Sequence, residues 1–278
     1  MMRLIPLITH LLDDRQEFVI ARIIDSQGSS PRSSGWMVIE KNGESSGTVG
    51  GGALEGMVQK LAVDVIAEKK SRRKKFMLNS NDKDGLDMRC GGDVEIQLDY
   101  FNGSDLKQAE SCRKLIHELE EDKEVYIVGA GHVGLALANQ LALLDIPVIA
   151  MDDRKEYANR ERFPKAKDIK VVPEFSDIFS GYEIGENSYI AIMTRGHKWD
   201  LEVLDQALKT DAGYIGMIGS RAKIITNFKI LRERGAAEES LNKVNAPIGL
   251  TIPCETPEEI AVSIAGKLLC VKYGREVR

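Results

Sequence analysis

Residues 124–154, EVYIVGAGHVGLALANQLALLDIPVIAMDDR, constrain the fold more than any other stretch. Residues 125–128 form a β-branched and aromatic run suited to a buried parallel strand. Gly129-Ala130-Gly131-His132-Val133-Gly134 follows, and Val133, Leu137, Leu141 and Leu144 then recur on one helical face. A second apolar run, residues 147–151, ends in Asp152 and Asp153. Strand, glycine turn, helix, strand and acid in this order are a βαβ dinucleotide fingerprint. Gly129 permits the tight turn, Gly131 has no Cβ to hold a phosphate away, and Gly134 lets the helix approach the strand. The free N–H groups and dipole at the helix start attract that phosphate. Asp152 stands about twenty residues further on, where a carboxylate can accept from ribose hydroxyls.

A chain of 278 residues is long enough for two domains with separate cores. Its net charge of −5 argues against a nucleic-acid partner. The one basic run, Lys69-Lys70-Ser71-Arg72-Arg73-Lys74-Lys75, is expected at a solvated helix end, where the dipole favours cations. Residues 1–12 read as a first helix rather than a signal peptide, and no apolar run reaches the length of a membrane span. Cys90, Cys112, Cys254 and Cys270 are scattered without a CxxC pair, which fits a cytoplasmic protein with reduced thiols and no structural zinc.

The expected fold is α/β, with a small N-terminal α/β domain over residues 1–103 and a C-terminal Rossmann-like parallel-sheet domain over residues 104–278. In the first, strands are expected at residues 17–25, 36–40, 75–78 and 94–100. Gly50-Gly51-Gly52 opens a helix running to residue 68 and is either an anion-binding nest or a cramped turn. A polar loop over residues 79–85 leads to Met88-Arg89-Cys90-Gly91-Gly92. Cys90, on a glycine-flanked turn beside an arginine, is the candidate for thiolate chemistry, against the bland reading of a small hydrophobe. The boundary is expected at residues 101–105, before a helix over residues 106–121 capped by Ser104 or Asp105.

The second domain continues with strands at residues 169–172, 189–193 and 213–218, and helices at 201–209, 221–234 and 257–271. Ligands of open parallel sheets bind beyond the carboxyl ends of the strands. Polar residues fall at three such ends: His132; Arg195 and His197, with Asp200 one turn later; and Ser220 with Arg221. Together they read as ligands for phosphate or carbonyl groups. Singly, His132 could be a neutral group facing solvent, His197 a helix cap and Arg221 a surface residue.

These segments, in this order, resemble the XdhC/CoxI family, the xanthine dehydrogenase accessory factors. The resemblance rests on Gly28-Ser29-Ser30-Pro31-Arg32, residues 47–55, Cys90-Gly91-Gly92, residues 129–134 with Asp152-Asp153-Arg154, Thr194-Arg195-Gly196-His197, Gly219-Ser220-Arg221, residues 246–250 and residues 255–261. It implies a carrier, more a cofactor chaperone than an enzyme. Such a carrier binds the molybdenum cofactor, as molybdopterin or its dinucleotide form, and keeps it from oxidation. It also helps a cysteine desulfurase supply the terminal sulfur, and delivers the cofactor to an apo molybdenum hydroxylase. Residues 129–134 would hold the phosphate, Asp152 a ribose, and Cys90 would face the molybdenum. Delivery through an interface would suit a homodimer. The rival from another class is an NAD(P)-dependent oxidoreductase with His197 as proton donor, and a third reading is a non-catalytic nucleotide sensor.

Overall fold

In the N-terminal half, alternation at residues 18–21 decides how the sheet is buried. Phe18 and Ile20 point to one face of β1 (Glu17–Gly28), Val19 and Ala21 to the other, and all four are fully buried. A strand buried on both faces needs helices on both. In the computed structural model, which describes residues 4–28, 34–78, 92–120 and 123–274, it has them. Cys90 lies outside the described residues.

β1 pairs antiparallel with β2 (Trp36–Glu40) and β5 (Gly92–Asn102). With β3 (Ser45–Thr48) and β4 (Arg72–Met77) the sheet order is β3-β2-β1-β5-β4. α2 (Gly52–Glu68) lays Leu54, Val58, Ala62 and Val65 on the Val19 face. α1 (Ile5–Asp13) and α3 (Leu106–Glu120) cover the Phe18 face with Ile8, Leu11, Leu12, Cys112 and Leu115. Asp105 caps α3, its Oδ1 accepting from the Lys107 and Gln108 N–H groups at 2.9 and 3.2 Å. Two compact units divide between Glu120 and Glu121, so α3, read from sequence as the start of the second domain, belongs to the first.

The basic run is not a helix end. Lys69 closes α2 in the left-handed conformation, and Arg72 to Lys75 lie in the edge strand β4. Arg73 pairs with Glu95 at 2.5 Å and Lys75 with Asp93 at 2.7 Å, both across the β4–β5 ladder. Charges of this kind also discourage edge-to-edge pairing with other chains.

Glu17 is the most strongly perturbed carboxylate of this unit. Lys41 donates to it at 2.6 Å, the Tyr100 hydroxyl at 2.6 Å, and Lys69 lies 3.3 Å away. These partners, Lys41 first, outweigh burial and hold its pKa down to about 2 from an ordinary 4.5. A depressed pKa stabilises the fold at and above pH 4.5 and is lost as the pH falls toward 2. Urea unfolding at pH 5 and pH 3 should therefore cost the wild type about 1 kcal/mol more than Glu17→Gln, screening by solvent around the exposed lysines included. Equal pH slopes for the two proteins would contradict this.

The second unit is built on β6 (Glu124–Val128), β7 (Val148–Asp152), β8 (Asp168–Val171), β9 (Ser188–Ile192), β10 (Tyr214–Met217) and β11 (Val244–Asn245). All pair in parallel, in the order β11-β10-β9-β6-β7-β8. Numbered within the unit this is the 3-2-1-4-5-6 arrangement of dinucleotide-binding sheets. Every residue of β7, β9 and β10 is buried, as a sheet covered on both faces requires.

One face is covered by α4 (His132–Leu143) and α8 (Pro257–Lys272) through Leu137, Leu141, Ile264 and Leu268. The other carries α5 (His197–Ala207) and α6 (Arg221–Glu233) through Val203, Leu204 and Leu231. Leu144, counted with the apolar stripe of α4, instead follows its last turn and is exposed. α8 starts on the capping box of Thr256 and Glu259 that the sequence predicts. A short α7 (Glu238–Asn242) precedes β11; neither is marked in the sequence. Among the described residues no helix is long and apolar enough to cross a membrane.

Candidate functional site

The chain order reverses between β6 and β9, so the crevice lies beyond their carboxyl ends. Gly129 leaves β6 at φ +113°, a conformation L side chains avoid, and a Cβ there would stand 2.2 Å from the Met193 carbonyl oxygen. The turn is stitched to both neighbouring strands. The Gly129 N–H donates to the Met151 carbonyl and the Met193 N–H to the Val128 carbonyl, each at 2.8 Å. A Cβ on Gly134 would meet the Gly129 carbonyl oxygen at 2.2 Å, so α4 sits directly on the turn. Around Gly131 a Cβ would meet nothing within 4 Å. Two glycines of the fingerprint therefore close the structure, and the middle one leaves it open.

The helices at this crevice start bare. α4 begins after Gly131 and α5 after Gly196, neither with a capping side chain, whereas Ser220 caps α6 and Thr256 caps α8. First-turn N–H groups have no intrahelical partner, and at α4 they face the open side of the turn at Gly131. His132, the first residue of α4, is exposed. His197 is the first residue of α5, and its side chain lies outside what is described. Ser220 spends its oxygen on the Lys223 N–H at 3.3 Å, and Arg221 is exposed at the start of α6.

Two acids end β7, and they have different partners. Asp152 is buried; its Oδ2 accepts from the Ala130 N–H at 2.9 Å and its Oδ1 from the Arg154 N–H and Nε at 3.1 and 3.0 Å. The acid predicted for a ribose thus holds the glycine turn in place. Asp153 is 8% exposed, and its Oδ2 accepts from Arg195 at 2.7 Å. Burial opposes its ionisation, but the Arg195 bond wins and keeps its pKa below the usual carboxylate value. Its Oδ1 is buried with no hydrogen-bond partner, Arg154 Nε standing 3.5 Å away.

The chain after β7 folds back over the turn, with Ala158 and Phe163 packed against Ala130. Tyr157 lies between two guanidinium groups, 3.6 Å from Arg154 and 4.9 Å from Arg162. Arg162 donates to the Ala130 carbonyl at 3.1 Å while its buried Nε has no partner. On the other side of β6, Asp200 is fully buried in α5. Its Oδ1 accepts from the Thr194 N–H and hydroxyl at 3.0 and 2.6 Å, and Lys223 of α6 closes an ion pair with its Oδ2. This network fixes the turn that carries Arg195.

Asp153, Tyr157, Arg162 and Lys223 were not singled out from sequence. The only signal was a second acid after Asp152, followed by an aromatic residue and arginines where a phosphate crevice would be rimmed.

Elsewhere, expected sites resolve into structure. The Gly50–Gly52 turn is filled by the chain's own carboxylate, for Glu55 accepts from the Gly51 N–H at 2.9 Å and from the Thr48 hydroxyl. Gly249, within residues 246–250, abuts Ser263 of α8, and the Tyr214 hydroxyl donates to the Ile248 carbonyl, so that segment is packing. Burial pushes the Cys112 thiol up to about 12, as for an inert core residue. Among the described residues no group of three or more His, Cys, Asp or Glu is placed to hold a metal ion.

A parallel six-stranded sheet with an open glycine turn at its reversal point defines a Rossmann-type phosphate-binding domain. Residues 125–268 match the XdhC Rossmann domain and residues 11–77 the XdhC and CoxI family, and the chain belongs to that family. It is 30% identical to the Escherichia coli (strain K12) protein YqeB over 92% of its own length, but spans only 43% of that protein. It is 22% identical to a protein of Bacillus subtilis (strain 168) described as a probable xanthine dehydrogenase component, covering 93% of this chain and 94% of the relative. The fold matches the crystal structure of a xanthine dehydrogenase from Bacillus halodurans with a TM-score of 0.78 and 22% identity, over 98% of this chain and 96% of that one.

Proposed function

We propose that the chain is an accessory factor that carries the molybdenum cofactor, supports its sulfuration and delivers it to an apo molybdenum hydroxylase such as xanthine dehydrogenase. A role linked to xanthine dehydrogenase is supported by family membership and by relatives bearing that name. The observation that carries the cofactor reading is the open space at Gly131 before the bare N-terminus of α4. Molybdopterin bears a phosphate, and a helix start with free N–H groups and no capping side chain suits one. In this reading the cofactor is cargo, held through its phosphate by the glycine turn, with Arg195 and His132 at the rim. Cys90 remains the proposed thiol for the molybdenum or its sulfur, on sequence grounds.

The strand order and fingerprint equally suit a nicotinamide dinucleotide, so an NAD(P)-dependent oxidoreductase is the second reading. One anaerobic assay separates the two. Apo molybdenum hydroxylase is mixed with cofactor, cysteine and a cysteine desulfurase, with or without the chain. Hydroxylase activity is expected to rise with the amount of chain, and Cys90→Ala to abolish the rise. Equal activity without the chain overturns the carrier reading, and turnover of NAD(P) by the chain alone replaces it with the second.

A further inference from the structure

The two acids at the end of β7 differ in what they have left to offer. Both oxygens of Asp152 are engaged by the protein itself, from the Ala130 N–H and Arg154. Spending Asp152 on a ligand would release the N–H that shapes the glycine turn. Asp153 has one oxygen on Arg195 and the other buried without a hydrogen bond. An unmatched buried carboxylate oxygen is costly, and such groups are rare unless a ligand or water completes them.

The partner of Asp153 makes its position informative. Asp153 follows β7 and Arg195 follows β9, and β6 lies between those strands. Their ion pair therefore spans the carboxyl end of β6, about 10 Å of sheet, at the point where the glycine turn begins. Arg195 is 54% exposed and able to swing, whereas Asp153 is fixed and 8% exposed. A phosphate at the start of α4 would compete with Asp153 for this guanidinium, which suits phosphate oxygens as well as carboxylate. Release of Arg195 leaves Asp153 with two acceptor oxygens and no donor but Arg154, 3.5 Å from one of them.

We infer that Asp153, rather than Asp152, is the specificity-determining carboxylate of the crevice, accepting from the ribose hydroxyls of a ribose-bearing diphosphate once its phosphates have drawn Arg195 away. This rests on the reading of the Gly129–Gly134 turn as a phosphate site. An anion without hydroxyl donors takes Arg195 but leaves the Asp153 charge unanswered. The exchange therefore favours ligands carrying both groups over bare phosphates, and dinucleotide forms of a cofactor over its monophosphate form.

Calorimetric titration of the full chain with ADP, 2′,3′-dideoxy-ADP and pyrophosphate tests this. The wild type should bind ADP about tenfold more tightly than the dideoxy compound, as expected for hydrogen bonds to a charged acceptor. Asp153→Ala should erase that preference while leaving pyrophosphate bound as tightly or more tightly, Arg195 being free. Arg195→Gln, at an exposed position, should weaken all three ligands about tenfold. Persistence of the ADP preference in Asp153→Ala, with pyrophosphate still bound, overturns the assignment and leaves the phosphate site standing. Binding of none of the three by the wild type overturns both.

Discussion

Asp200→Ala is expected to lower the unfolding free energy of the second unit by about 3–5 kcal/mol, the usual consequence of breaking a buried ion pair from one side. Asp200 is fully buried, and its removal strands the Lys223 ammonium, only 11% exposed, together with the Thr194 N–H and hydroxyl. The double change Asp200→Leu with Lys223→Met removes both charges and should recover much of the loss, because desolvation of the pair offsets most of its attraction. The two tryptophans make this measurable, since Trp36 belongs to the first unit and Trp199 to the second. Urea unfolding followed by Trp199 fluorescence in a Trp36→Phe background reports the second unit alone. A loss below about 1 kcal/mol for Asp200→Ala would place Asp200 among ordinary surface-like pairs.

The second large effect separates binding from stability within one motif. Gly131→Leu should cut retention of a phosphate-bearing ligand about a hundredfold, because its side chain would occupy the space the phosphate needs. The substitution should cost no more than about 1 kcal/mol of stability, since Gly131 has an ordinary extended φ of −69° and no neighbour for a Cβ. Gly129→Ala should fail in the opposite way. Its Cβ would press on the Met193 carbonyl at 2.2 Å from a backbone at φ +113°, costing about 2–6 kcal/mol in strain and overpacking together. Thermal melts and ligand titrations of the two variants, side by side, give this contrast directly. Equal stability losses would mean that Gly131 is also a packing position.

How far the sequence reached depended on whether a feature is local. The glycine turn, the helix after it and the capping box at Thr256 depend on neighbours within a few residues, and the structure places each where the pattern implies. The basic run shows the limit. Lys and Arg after a long helix suit a helix end as well as an edge strand, and only Glu95 and Asp93 across the ladder decide. The apolar stripe of α3 could serve either sheet, and its burial against Phe18 and Ile20 settles it for the first.

The same holds inside the crevice. Asp152 and Asp153 are adjacent and chemically identical in sequence, and the Ala130 N–H distinguishes them. Lys223 reaches Asp200 from another helix, a contact that no spacing rule contains.

The central claim, that the Gly129–Gly134 turn of this XdhC and CoxI family chain holds a phosphate-bearing molybdenum cofactor, is tested most directly by anaerobic gel filtration. Wild type and Gly131→Leu are each passed with an excess of molybdenum cofactor or of NAD, and molybdenum and nucleotide are quantified in the protein peak. The account predicts molybdenum in near-equal amount with wild-type protein and its loss from Gly131→Leu at unchanged elution volume. Molybdenum retained equally by both proteins, or NAD retained by the wild type with no molybdenum, would contradict it.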